Sequence, residues 1–129
     1  MNRKIIFRGI IARHHGAKKW MYGYYNHEEK SGIHDINNEY SGRSVDGETV
    51  GQFIGETDIT GRDIYEGDIL CDSITKLKYL VKFASAGFHA FRIDEGIKNY
   101  PINLNKHDIN IYHLHIIGNI YENPEMMNI

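Results

Sequence analysis

Short strand-like segments recur along this chain, and they restrict it to folds built from β-sheets. Apolar and β-branched or aromatic residues dominate residues 4–13, 20–25, 49–55 and 77–83, with the period-two alternation of half-buried strands in several places. Two prolines accompany thirteen glycines, which favours strands joined by tight turns. We therefore predict an all-β fold, with at most a short helical turn at the C-terminus, where Asn123-Pro124-Glu125 is typical of a helix start.

The remaining segments are assigned from the same pattern. Residues 88–93 pair with residues 77–83 as a predicted hairpin, and residues 109–121 predict one long strand or a strand pair with a bend or bulge at Gly118. Residues 26–47 are polar and rich in Asn, Gly and Ser. We expect a long connection there, with one short strand near residues 33–36.

Size and composition exclude several classes of protein. The chain has 129 residues, of which 41% are hydrophobic and 25% charged, so it can fold as one globular domain without a metal or disulfide. Its single cysteine, Cys71, rules out an internal disulfide and suggests a reducing compartment. No segment approaches the ~18 apolar residues of a membrane span. We expect a cytoplasmic protein with no cofactor, no membrane partner and no signal peptide.

Charge is distributed unevenly although the net charge is only −2. Residues 1–30 carry a net charge of +5, whereas residues 31–75 carry −8. Such asymmetry indicates either an anionic partner for the basic region or association between the two regions, within one chain or between copies. The sequence pI of about 6.4 favours the second interpretation, because nucleic-acid-binding domains are usually basic.

A motif between Glu48 and Ile69 carries a family resemblance. It reads ETVGQFIGETDITGRDIYEGDI, and it is accompanied by WMYG at residues 20–23 and by IIGNIYENPE at residues 116–125. In order and spacing, the three stretches resemble the YopX family of bacteriophage and prophage proteins of Gram-positive bacteria. The resemblance implies a single all-β domain over residues 1–129, with an N-terminal β region at about 1–47 packed on an SH3-type barrel at about 48–129. It implies no established activity.

The motif also has a structural interpretation. Glycine relieves the Cβ clash where a small barrel bends, and we assign this role to Gly51, Gly55, Gly61 and Gly67. Asp68 follows a predicted bend, where its carboxylate can accept hydrogen bonds from backbone amides.

Trp20, Tyr22 and Tyr24 alternate along a predicted strand and therefore share one face. Aromatic residues beside cations suit stacking on single-stranded bases, so a nucleic-acid site would use Arg13, Lys18, Lys19 and Tyr24. The same face would serve equally as one wall of a core. We favour the core for Trp20 and Tyr22, and we leave Tyr24 open.

Eight histidines are unusually many for this length. His113 and His115 lie two residues apart in the predicted last strand, so both rings would share a face about 6.6 Å apart. With a third ligand from His89, His107 or Asp108, they would suit zinc or iron. Locally hydrogen-bonded surface histidines are the simpler explanation.

Three functions follow from these patterns. The leading hypothesis is a non-enzymatic phage accessory protein that acts as a binding or assembly module, self-associates and has a host or phage protein as a further partner. A nucleic-acid-binding module using the basic, aromatic N-terminal region is the alternative. A metal-dependent enzyme centred on His113 and His115 is the second alternative.

Overall fold

The computed structural model describes residues 5–12, 16–84, 86–93 and 101–127. The chain forms two compact units, and the boundary between them lies at Phe53 and Ile54. Antiparallel strands dominate both units, which confirms the all-β prediction. No helix among the described residues is long and apolar enough to cross a bilayer.

The N-terminal unit consists of strands β1 (Phe7–Ile10), β2 (Trp20–Glu28), β3 (Ile33–Asn37), β4 (Gly42–Val45) and the first residues of β5 (Gly51–Thr57). They are hydrogen-bonded in the order β4-β3-β2-β1-β5. The short strand predicted near residues 33–36 is confirmed as β3, but the long connection predicted around it was wrong, because β2 continues to Glu28 and β4 also forms within residues 26–47. The sequence did not reveal these segments as strands because most of their residues are exposed and polar, so the alternation of apolar and polar residues is weak there.

Strand β4 returns to the end of β1. A β-bridge joins Ile11 to Val45, the amide of Ala12 donates to the carbonyl of Ser44 at 2.9 Å, and the amide of Asp46 donates to the carbonyl of Ile10 at 2.9 Å. These bonds close β1–β4 into a ring, so the edge of β4 is paired at this point. The interior holds a small apolar cluster of Ile11, Met21, Ile36 and Val45.

The C-terminal unit contains the remainder of β5 and strands β6 (Asp63–Tyr65), β7 (Asp68–Asp72), β8 (Lys78–Ala84), β9 (Gly87–Arg92), β10 (Ile102–Asn103) and β11 (Leu114–Asn119). Five of them form a sheet in the order β10-β9-β8-β7-β11. The last strand therefore pairs with the first strand of a β7–β10 meander, which is the strand order of an SH3-type barrel. The predicted β8–β9 hairpin is confirmed. The core contains Ile54, Ile64, Leu70, Tyr79, Val81, Ala90, Ile102, Ile109 and Leu114.

The prediction of a strand over residues 109–121 was wrong in its first part. Residues Lys106–Ile111 form α1, the single α-helix among the described residues. The Asn105 side chain caps it by accepting a hydrogen bond from the Asp108 amide at 2.8 Å. The predicted irregularity at Gly118 is confirmed, since the β7–β11 register shifts between Ile116 and Gly118. A 3₁₀ turn follows at Pro124–Met127, as predicted.

Candidate functional site

The outer face of β2 carries a row of aromatic side chains. Met21 and Gly23 are buried, whereas Tyr22 and Tyr24, which alternate with them, are 45% and 72% exposed. Trp20 is half-buried. The prediction that Tyr22 belongs to the core was therefore wrong. We call Trp20, Tyr22 and Tyr24 the aromatic row.

Gly23 explains why the large rings face outward. A Cβ atom at this position would overlap the carbonyl oxygen of Asn37 on β3. The inner face of β2 therefore has no room for a side chain at position 23, and an aromatic ring is excluded there. With the strand oriented in this way, Met21 fills the interior and the alternate positions face outward.

Arg8 supports the inner end of the row. Its guanidinium carbon lies 4.3 Å from the centre of the Trp20 ring, within the range of a cation–π contact. Arg8 is buried and lies directly opposite Tyr22 in the β1–β2 register. The Arg8 guanidinium therefore holds the Trp20 ring in place, and Trp20 is the least exposed member of the aromatic row.

A groove of about 340 Å³ runs beside the row and is lined by Ile6, Tyr22, Gly23, Tyr24, Asn38 and Glu39. Asn38 fixes the turn at its edge. Its Nδ2 donates to the carbonyl of Tyr22 at 3.2 Å, and its Oδ1 accepts from the amides of Tyr40 and Ser41 at 2.9 and 3.0 Å. The groove thus has a preformed polar edge beside two exposed phenol rings.

The predicted cations occupy one end of this region. Lys18 and Lys19 are exposed and directly precede Trp20. The carbonyl of Lys19 accepts a hydrogen bond from the Ile11 amide at 2.9 Å, which ties this segment to the end of β1. Arg13 lies outside the described residues. The structure therefore places three of the four predicted nucleic-acid contacts, Lys18, Lys19 and Tyr24, along one stretch of chain.

A second ring cluster occupies the opposite face of the same strands. The rings of His27 and His34 stack with centres 4.0 Å apart and planes 11° from parallel. The hydroxyl of Tyr25 lies 2.6 Å from Nδ1 of His34. In parallel stacked rings the nitrogen lone pairs do not converge on one metal ion. We therefore interpret the cluster as cross-strand contacts that stabilise the pairing of β2 with β3. Sequence analysis missed it because β2 was expected to end at residue 25, which left His27 in the predicted connection.

The two histidines of the metal hypothesis do not alternate along one strand. His113 lies in the turn after α1 with φ at 51°, and His115 lies in β11 opposite Cys71 of β7. Within the described residues, no group of three or more His, Cys, Asp or Glu side chains is arranged to hold a metal ion. The shared strand face on which the hypothesis depended is absent at these two positions.

Buried carboxylates of the C-terminal unit hold turns. Asp68 Oδ2 accepts from the Tyr65 amide at 2.8 Å, and Asp72 Oδ1 accepts from the amides of Ile74 and Thr75 at 2.8 and 3.1 Å. Burial raises the pKa of Asp72, but these hydrogen bonds and the nearby His113 outweigh burial, so its pKa lies below the usual value. Both carboxylates act as hydrogen-bond acceptors for the amides of the turns.

The motif glycines divide into two kinds. Gly55, Gly61 and Gly67 have φ angles of 94°, 92° and 88°, a region that disfavours other residues. Gly51 instead lies in β5 directly opposite Arg8, so the bend predicted at Gly51 is replaced by regular strand pairing.

Comparisons with known proteins extend over nearly the whole chain. A crystal structure of protein EF1440 from Enterococcus faecalis has a TM-score of 0.59 and 18% sequence identity, with 98% of this chain and 100% of that chain covered. This likeness establishes a shared fold. A comparison with curated proteins gives no significant match. The family model described as YopX protein matches residues 7–128, and the chain therefore belongs to the YopX family.

Proposed function

We propose that this protein is a non-enzymatic binding module and that the aromatic row is its binding surface. One observation carries the proposal: Tyr22 and Tyr24 are 45% and 72% exposed on a strand whose alternate residues are buried. Large apolar rings gathered on an exposed face are typical of interaction sites. The groove beside them provides concave contact area with a fixed polar edge.

The arrangement of the acidic groups supports binding over catalysis. General acid–base catalysis needs a titratable group that can reach a substrate proton. Asp58, Asp68 and Asp72 are all buried, and each accepts hydrogen bonds from backbone amides. Because these carboxylates are buried and accept hydrogen bonds from turn amides, they are not positioned to exchange a proton with a substrate. The turn at His113 also weakens the case for a metal-dependent enzyme.

The biological setting belongs to the same proposal. The YopX family resemblance suggests a phage or prophage protein, and the single buried thiol at Cys71 suits a reducing compartment. We therefore assign the module to the cytoplasm of a bacterial host, where its partner is a phage or host macromolecule or a second copy of the chain.

Site-specific photo-crosslinking tests the proposed surface. The photoreactive residue p-benzoylphenylalanine would replace Tyr24 in the full chain, expressed in a Gram-positive host. A matched control would carry it at Tyr112, an exposed tyrosine of the C-terminal unit. We expect adducts from position 24 and none from position 112. No adduct at position 24, or equal adducts at both positions, would overturn the proposal.

A further inference from the structure

We infer that the ligand of the aromatic row is single-stranded nucleic acid, whose bases stack on Tyr22 and Tyr24 while its backbone contacts Lys18 and Lys19. This inference rests on the proposed function, since it names the ligand of the same surface. It also reverses the preference drawn from the sequence, which was based on the pI of about 6.4 and on the expectation that Tyr22 is buried.

The spacing of the rings supports stacking. Tyr22 and Tyr24 alternate along one strand, so their Cα atoms are about 6.6–6.8 Å apart on the same face. Successive unpaired bases can each use one ring in such an arrangement, whatever their sequence, because every base has a π-face. A duplex keeps its base faces inside the helical stack, so the row should discriminate against it.

The charges at the row support an anionic ligand. Lys18 and Lys19 are exposed at its start, and the Arg8 guanidinium lies against Trp20. The N-terminal unit, up to Phe53, contains eight Lys and Arg against six Asp and Glu. Glu39 is the acidic residue that lines the groove, and we expect it to oppose a phosphate backbone.

Glu39 also distinguishes single-stranded nucleic acid from the main alternative ligand, a cationic peptide. A basic, proline-rich peptide would use the same aromatic groove but would be attracted by Glu39. Replacing Glu39 by Gln should therefore strengthen the binding of an anionic strand and weaken that of a cationic peptide. The direction of this one change identifies the class of ligand.

The test uses the tag-free full chain and two probes, ten-nucleotide oligo(dT) and oligo(U), with a hairpin duplex of equal charge for comparison. Trp20 is the sole tryptophan of the chain and lies in the row, so its fluorescence reports binding directly. We expect quenching, with at least tenfold tighter binding of one single-stranded probe than of the duplex at equal salt.

Variants locate the interaction. Tyr22→Ala and Tyr24→Ala should each weaken binding roughly tenfold, as expected for the loss of a stacking platform, whereas Tyr112→Ala should leave it unchanged. Lys18→Gln should flatten the slope of log K against log salt by about 0.7, as expected for one lost phosphate contact. Glu39→Gln should tighten binding two- to threefold. Circular dichroism would verify that each variant is folded.

Several results would overturn the inference. They are the lack of binding to either oligonucleotide at 50 mM salt, equal affinity for the duplex, or an unchanged affinity after Tyr24→Ala. A protein adduct at position 24 in the crosslinking experiment, together with no oligonucleotide binding, would sustain the binding surface and reject nucleic acid as its ligand. Failure of the two proposals is therefore distinguishable.

Discussion

The carboxylate of Asp58 accepts a hydrogen bond from the backbone amide of Ile116, 58 positions further along the chain, at 2.8 Å. The other carboxylate oxygen accepts from the amides of Thr60 and Arg62 at 2.9 and 3.0 Å and from the Thr60 hydroxyl at 2.7 Å. The Ile59 amide also donates to the Leu114 carbonyl at 3.1 Å. One buried side chain thus joins the turn after β5 to the outer edge of β11, and this edge is protected from pairing with another chain.

Removal of this carboxylate should strongly destabilise the C-terminal unit. Asp58→Ala would leave the amides of Thr60, Arg62 and Ile116 without their acceptor, and Asp58 is only 4% exposed. We expect a loss of about 2–4 kcal/mol in the free energy of unfolding, measured by urea denaturation. Asp63→Ala, at an exposed position in β6, is the control and should change stability by less than about 0.5 kcal/mol. Similar losses in both variants would contradict this role.

Acid should destabilise the protein through the same group. Burial raises the pKa of Asp58, but its hydrogen bonds from Ile116, Thr60 and Arg62 outweigh burial, so its folded-state pKa lies below the usual value. The stabilisation is therefore complete above the unfolded-state pKa of about 3.9 and is lost as pH falls through the folded-state pKa.

The comparison of pH 6 with pH 3 provides the measurement. The wild-type protein should lose more free energy of unfolding between these values than Asp58→Asn, which cannot titrate at this position. Asp72→Asn should also reduce the loss, because the pKa of Asp72 is lowered as well. An identical pH dependence in the wild type and Asp58→Asn would show that Asp58 does not carry the effect.

The sequence predicted the strands of the C-terminal unit better than the orientation of β2. Strands β6 to β9 have local signals, since apolar runs alternate with turns that contain Gly61 and Gly67. The outward orientation of Tyr22 depends instead on the approach of Asn37 to Gly23, a contact between two strands. Because hydrophobicity alone favours burying an aromatic ring over a glycine, the pattern indicated the wrong face. Helix α1 had a local signal in the spacing of Asn105 and Asp108, but the apolar run that follows obscured it.

The interior of the N-terminal unit should not tolerate a side chain at Gly9. A Cβ atom there would lie 3.0 Å from Cβ and Cγ2 of Val45 and 3.1 Å from Cδ1 of Ile36. Gly9→Ala should therefore reduce stability by about 1–3 kcal/mol through overpacking. Trp20 fluorescence during urea denaturation would report this unit.

A double variant would separate overpacking from other effects of the alanine. Gly9→Ala combined with Val45→Ala should be more stable than the sum of the two single losses predicts, by at least about 0.5 kcal/mol, because each change provides room for the other. Strict additivity would show that the contact with Cγ2 of Val45 does not limit position 9, since alanine at position 45 keeps Cβ and loses Cγ2.

Gly61 and Gly67 should respond differently to the same substitution. Both have positive φ angles, 92° and 88°, so Ala at either position incurs a backbone cost of about 1–2 kcal/mol. A Cβ atom at Gly61 would meet nothing within 4 Å, whereas one at Gly67 would lie 2.9 Å from Cε2 of Tyr121. Gly67→Ala should therefore destabilise the protein more than Gly61→Ala in parallel urea titrations, and the difference measures the contact with Tyr121. Equal losses would mean that the ring moves aside without cost and that the backbone angle alone requires glycine in this turn.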